Sequence, residues 1–259
     1  MQTVYAVMDG EVATLVLPGA WEEALPGVKW GAFDELMTPA YWRAQAWQHE
    51  ALGTYSNLRL GRTLAEEIAA CLLGGYGMPA ELGLAAYSHL RALGFLSMQP
   101  SAPEIEEALL QPLQCNGTLR NYRFPRQKAK YLSACLYHVQ ALEEVERDLD
   151  LREKLAELPG VGLKTASWVV RNYRRSDSVA IIDIHILRAG RHVNLFNERW
   201  KPERHYRDLE SAFLNFAEAI STPASLLDGL MWDQMRRMPS KPRSSEQLNL
   251  PLGQPIAVH

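Results

Sequence analysis

Lys164 and Asp183 are the groups in this sequence whose types and surroundings could do chemistry together. One is an amine that can contact phosphate or, once deprotonated, act as a nucleophile; the other is a carboxylate 19 residues further on. Lys164 falls in Leu158-Pro159-Gly160-Val161-Gly162-Leu163-Lys164-Thr165-Ala166, between a helix opening at Asp150 and one whose apolar stripe is Ala166, Val169, Val170 and Tyr173. So short a turn between two helices calls for backbone conformations closed to residues with a Cβ, and Gly160 and Gly162 meet that need. The turn aims backbone N–H groups at the start of the second helix, where an anion is favoured. Gly160, Val161 and Gly162 therefore read as the tip of a helix-hairpin-helix that grips a DNA backbone. Asp183 stands in the aliphatic run from Val179 to Leu187, where a carboxylate is expensive to bury without a partner or a task. Taken singly, Lys164 is a phosphate contact or a solvated lysine, and Asp183 a helix N-cap or half of a buried ion pair.

Taken with the hairpin, they match a known arrangement. The segment resembles the helix-hairpin-helix DNA glycosylase superfamily, in which a glycine-rich hairpin is followed at this spacing by an essential Asp. A lysine at the position of Lys164 resembles the bifunctional glycosylase/AP lyases of that superfamily. The likeness centres on residues 150–191 and extends from about 60 to 238, leaving out residues 1–40 and the tail. Cys71, Cys115 and Cys135 are scattered and cannot supply the four-cysteine cluster of endonuclease III, which turns the likeness toward 8-oxoguanine DNA glycosylases. The resemblance implies excision of an oxidised purine, 8-oxoguanine, in base excision repair. Asp183 would stabilise positive charge on the sugar, and Lys164 would attack C1′ to form an imine from which β-elimination cuts the strand. It implies no side-chain metal site and no cofactor beyond a monovalent cation at the hairpin carbonyls.

A base locked in a duplex must be flipped into a pocket and held by stacking and edge contacts. Trp168 stands four residues after Lys164 on the same helical face and is a candidate platform, with burial as core its alternative. Asp228 and Trp232 repeat the spacing on a late helix. They look like the Asp and Trp that archaeal 8-oxoguanine glycosylases present to the base, while an exposed first-turn Asp is the alternative. His185 could orient sugar or phosphate, or pack as a core histidine. Arg120, Arg123, Arg126, Lys128 and Lys130 form a basic cluster without an internal acid, interleaved with Tyr122 and Phe124, and read as a phosphate-binding surface.

The elements that must position these groups are mostly helical. Residues 3–17 alternate around Asp9-Gly10 as a two-stranded hairpin, with Val4, Ala6 and Met8 before the turn and Val12, Thr14 and Val16 after it. Beyond Leu17 strand signals fade. Thr38-Pro39, Thr63 with Glu66, Ser101 with Glu104, Asp150 with Glu153, and Thr222-Pro223 read as helix starts. The expected fold is mainly α, a helix-hairpin-helix glycosylase fold of eight to ten helices. Its parts are a β element over 1–40, an all-α domain over 41–238 and a flexible tail over 239–259. In that tail Gln247, Leu248, Leu250 and Leu252 resemble the motif by which bacterial repair proteins bind the sliding clamp.

The chain has 259 residues, 47% hydrophobic and 22% charged, within the globular range, so a disordered or fibrous chain is excluded. The net charge of −3 gives no global attraction to nucleic acid, which leaves DNA binding to local clusters. Few, unpaired cysteines and the lack of a secretory or membrane-spanning stretch fit a reducing cytoplasm. The glycosylase expected from the resemblance is a monomer associated with the bacterial nucleoid. Two rival readings remain: a glycosylase for another modified guanine in a phage-defence or modified-nucleobase pathway, and a non-catalytic DNA-binding module.

Overall fold

The computed structural model describes residues 1–8, 10–53, 58–75 and 77–238. The expected tail and its four clamp-motif residues, Gln247, Leu248, Leu250 and Leu252, lie outside the described residues, as does Asp9 of the hairpin turn. The chain opens with β1 (Gln2–Met8) and β2 (Glu11–Leu17), antiparallel in a register from Gln2 opposite Leu17 to Met8 opposite Glu11. Val4 and Leu17 face inward, whereas Tyr5, Val7, Val12 and Val16 share the exposed face. A short ribbon, β3 (Glu23–Leu25) and β4 (Val28–Lys29), leads into α1 (Pro39–Ala51). Then come α2 (Leu64–Leu73), α3 (Ala80–Ala92) and α4 (Ala102–Leu110). A third ribbon, β5 (Leu113–Cys115) with β6 (Thr118–Arg120), precedes α5 (Pro125–Tyr137), α6 (Val139–Glu143) and α7 (Asp148–Ala156). The chain continues through α8 (Leu163–Arg174), α9 (Ile184–His192), α10 (Pro202–Ala219) and α11 (Ala224–Arg237).

The mainly helical expectation holds, with eleven α-helices among the described residues and two more ribbons than the sequence suggested. Three of the expected starts are realised: Thr38 Oγ1 accepts from Tyr41 N, Thr63 Oγ1 from Glu66 N, and Ser101 with Glu104 forms a reciprocal capping box. Two are displaced. α7 begins at Asp148, so Asp150 sits inside its first turn, where a carboxylate is favoured by the helix dipole rather than by capping. Thr222 points its hydroxyl back at the Ile220 carbonyl, and Pro223 takes the N-cap position without a side-chain bond.

Two large apolar clusters make up most of the core, and a small third one joins Ala46 of α1 to Leu226 and Leu230 of α11. The first is built from α2 to α8, with Leu64, Ile68, Leu109, Leu132 and Val170 at its centre. The second joins Val4 and Leu17 of the β hairpin and Trp42 of α1 to Ile186, Phe213, Phe216 and Met231 of α9 to α11. The first 40 residues are thus part of a core shared with the chain's last helices. All three cysteines are free and buried.

Polar groups span the seam between the clusters. Glu210, 4% exposed on α10, accepts from Arg152 of α7 at 2.6 Å, Ser167 of α8 at 2.9 Å and the Ala180 N–H at 3.0 Å. Asp228 of α11 pairs with Arg171 of α8 at 2.9 Å and accepts from Ile181 N at 3.3 Å. Burial pushes the Asp228 carboxyl up to about 6, against the pull of Arg171.

The hairpin turn itself requires one glycine. Gly160 has φ +77, and a Cβ there would lie 2.0 Å from Cδ2 of Tyr131 on α5. Gly162 has φ −88 and open space where a Cβ would be, so a side chain could be accommodated there, contrary to expectation. Gly160→Ala should therefore lower unfolding free energy by about 1–3 kcal/mol, and Gly162→Ala should leave it nearly unchanged, as read by urea denaturation. Equal effects at the two positions would contradict this account.

A pH signature follows from Asp228. Between about 4, where the unfolded carboxyl ionises, and about 6, the folded protein keeps a proton that the unfolded chain has released. This group's contribution to stability therefore falls as pH rises through that window. The stability of wild type relative to Asp228→Asn should drop by about 2 kcal/mol between pH 4 and pH 7. A difference that stays flat or grows would contradict the assignment.

Candidate active site

The site is assembled where the hairpin meets the seam. The turn after α7 is closed by Leu158 N donating to the Leu155 carbonyl and Val161 N to the Leu158 carbonyl, both at 3.1 Å. Val161 is buried in the first core cluster, so its side chain anchors the hairpin and only its backbone is left for an outside ligand. Gly162 is the N-cap of α8, exposed and unobstructed, which leaves the amides of the first turn open to an anion.

Lys164, the second residue of α8, is half-buried, and its ammonium has no partner among the described residues. It lines a cleft of about 590 Å³ together with Gly162, Leu163, Ile182, Arg204 and Tyr206. The opposite wall is the first turns of α10, bent at His205, whose φ −126 and ψ 29 are not helical. Ile182 belongs to the stretch that delivers Asp183, whose N–H donates back to the Ile181 carbonyl at 3.1 Å. Of the two alternatives for Asp183, the N-cap is realised: its Oδ1 accepts from His185 N at 2.8 Å and Ile186 N at 3.0 Å. Oδ2 takes no partner among the described residues. One oxygen thus locks the carboxylate to the positive end of α9, and the other remains available to a cation. His185 is half-buried on the first turn of α9, and its ring has no partner among the described residues.

The expected base-binding residues separate. Asp228 is 1% exposed and committed to Arg171 and Ile181 N, so it offers no surface to a base; it is a seam residue, and the expectation for it is corrected. Burial wins there because Arg171, which comes from a different helix, compensates the carboxylate. Trp168 is half-buried against the first core cluster and leans on Gly74 at the end of α2. Trp232 is 42% exposed, with the Arg236 guanidinium 4.7 Å over its ring.

The basic cluster also divides. Lys128 Nζ donates to the Leu72 carbonyl at 2.5 Å, and desolvation holds its pKa below the usual lysine value. Arg123 donates to the Gly77 carbonyl at 2.6 Å. Both close off the C-terminal end of α2 and the loop beyond it. Arg120, Arg126 and Lys130 are exposed with no partner among the described residues, and they are the cations open to phosphate. Tyr122 is core, its hydroxyl donating to the Leu73 carbonyl at 2.6 Å, while Phe124 remains 42% exposed.

Sequence reasoning missed Tyr206 and Glu210. Their signal was one of phase: both fall on the buried face of α10 with Leu209, Phe213 and Phe216, where a charged residue requires an explanation. No group of three His, Cys, Asp or Glu side chains among the described residues is placed to hold a metal ion.

A family model for 8-oxoguanine DNA glycosylase matches residues 50–222, which include the hairpin, Lys164 and Asp183. The 8-oxoguanine DNA glycosylase/AP lyase of Metallosphaera sedula is 34% identical over 154 residues, 58% of this chain and 72% of that protein. The one from Saccharolobus solfataricus is 28% identical over 187 residues, 68% of this chain and 84% of that protein. In fold, the chain is similar to the Methanocaldococcus jannaschii 8-oxoguanine glycosylase/lyase solved with a 15mer DNA containing 8-oxoguanine. The TM-score is 0.57 at 22% identity, covering 75% of this chain and 96% of that one. The hairpin, the lysine and the capping aspartate thus lie inside a match that spans most of the sequence, and the chain belongs to the 8-oxoguanine DNA glycosylase family.

Proposed function

We propose that this chain excises 8-oxoguanine from double-stranded DNA in base excision repair and cleaves the strand at the resulting abasic site. One observation carries the assignment of roles: an unpartnered Lys164 shares a cleft with the segment that presents Asp183, whose Oδ2 is free. The Lys164 amine attacks C1′ as the glycosidic bond breaks, and the base departs with the bonding electrons and takes up a proton. Asp183 stabilises the positive charge that builds on the sugar between these events. Ring opening gives an imine between Lys164 and C1′. Loss of a C2′ proton then expels the 3′ phosphate, and water releases the enzyme.

Arg120, Arg126 and Lys130 supply phosphate contacts, and Trp232 is an exposed aromatic available for stacking, once Arg236 swings aside. The monovalent cation implied by the family would rest on hairpin carbonyls. Those of Leu158 and Gly162 each accept one hydrogen bond, from Val161 N and Ala166 N, and keep a second lone pair. Neutral, hard oxygens of this kind fit an alkali ion, which would add positive charge beside a DNA phosphate.

Borohydride added during turnover of an 8-oxoguanine duplex should trap a covalent enzyme–DNA adduct. Lys164→Gln should abolish trapping, and Asp183→Asn should slow base release about 100-fold or more while leaving duplex affinity close to wild type. Undiminished trapping by Lys164→Gln would overturn the assignment, and DNA binding without base release by the wild type would indicate a non-catalytic module.

We also propose that residues 247–252, Gln-Leu-Asn-Leu-Pro-Leu, dock on a bacterial sliding clamp, a reading supported by the sequence pattern alone. Titration of the clamp should give binding with the full chain and none with a chain ending at Met238, at unchanged excision from short duplexes. Equal binding by both chains, or by neither, would remove the proposal.

A further inference from the structure

Three of the hydrogen bonds that hold the segment Ala180–Ile182 come from two residues one turn apart on α10. The Tyr206 hydroxyl donates to the Ala180 carbonyl at 2.8 Å and accepts from Ile182 N at 3.3 Å. Glu210 accepts from Ala180 N at 3.0 Å. The next residue along is Asp183, and the Tyr206 ring itself lines the cleft that contains Lys164. Both cleft walls therefore meet at one phenol, 6% exposed and packed in the second core cluster.

We propose that Tyr206 is a positioning residue for base excision: its hydroxyl fixes the backbone from Ala180 to Ile182 and so sets where Asp183 and the capped start of α9 stand relative to Lys164. The inference rests on the function proposed above. Burial and the nearby Glu210 carboxylate hold the phenol well above its ordinary value, so it keeps its proton and remains the donor to Ala180. Glu210 fixes only the N–H at the head of the segment. Without the hydroxyl, the Ala180 carbonyl and Ile182 N–H lose their partner while the segment stays tethered, so it can shift without the core coming apart. A displacement of about 1 Å at a reacting centre can cost roughly 100-fold in rate.

Tyr206→Phe removes the hydroxyl and keeps the ring. The test is single-turnover kinetics on two duplexes, one with 8-oxoguanine and one with a preformed abasic site, whose aldehyde needs no stabilised sugar cation. Tyr206→Phe should slow excision about 10- to 100-fold. It should leave duplex affinity and abasic-strand cleavage within roughly twofold of wild type. Because Tyr206 acts through Asp183, adding Tyr206→Phe to Asp183→Asn should lower excision by less than roughly a further twofold. Parallel loss on both duplexes would make Tyr206 merely structural and overturn the proposal, as would unchanged excision or effects that multiply in the double variant. If Asp183→Asn excised as fast as wild type, the role of Asp183 in the proposed function would fall as well. A negative result for Tyr206→Phe with Asp183→Asn impaired would overturn this inference alone.

Discussion

A carboxylate with almost no access to water organises the seam between the two halves of the core. Glu210 would be costly to bury alone, and its charge is met by the Arg152 guanidinium, the Ser167 hydroxyl and the Ala180 N–H. Those three donors come from α7, α8 and the stretch before α9, which are the elements that build the hairpin and deliver Asp183. Satisfying one buried charge therefore fixes several chain segments at once. Taking away one partner of such a pair typically costs about 3–5 kcal/mol, because the other is left charged and dry. The Arg171–Asp228 pair repeats the arrangement between α8 and α11, so the hairpin helix is pinned to the second half of the core at two points along its length.

These ties hold the elements on which the charged cleft is built. The two groups proposed to react sit on helix starts, Lys164 in the first turn of α8 and Asp183 at the N-cap of α9, where backbone amides are unsatisfied within the helix. The two starts are used differently. At α9 the amides are occupied by the protein's own carboxylate, which is thereby oriented. At α8 the N-cap is a glycine without a side-chain bond, so those amides are left for an outside anion.

What could be read from the sequence was whatever is settled within a few residues. The hairpin, the caps at Thr38, Thr63 and Ser101, the β1–β2 pairing and the candidacy of Lys164 and Asp183 depend on local turn chemistry and spacing. What could not be read depends on partners far away in the chain. Asp228 looked like a pocket residue because Arg171 is 57 positions earlier, and Lys128 looked like a DNA contact because the Leu72 carbonyl it caps is 56 positions away. Gly162 looked sterically required by analogy with Gly160, yet only Gly160 faces Tyr131. The β5–β6 ribbon, with strands of three residues, is too short for an alternation pattern to declare itself.

The buried thiols have a consequence for working conditions. Oxidation of cysteine proceeds through the thiolate and requires access by the oxidant. Desolvation pushes the Cys135 thiol up to about 12, and burial beside Glu67 likewise holds the Cys71 thiol well above its ordinary value. Cys115, also enclosed, is screened by the same exclusion of solvent. Peroxide that damages guanine would therefore meet no ready thiolate on the folded protein, and the sulfur left open to it is the thioether of exposed methionines such as Met98. A family that deals with oxidised DNA has in this chain a member whose cysteines are kept out of the redox chemistry that creates its proposed substrate.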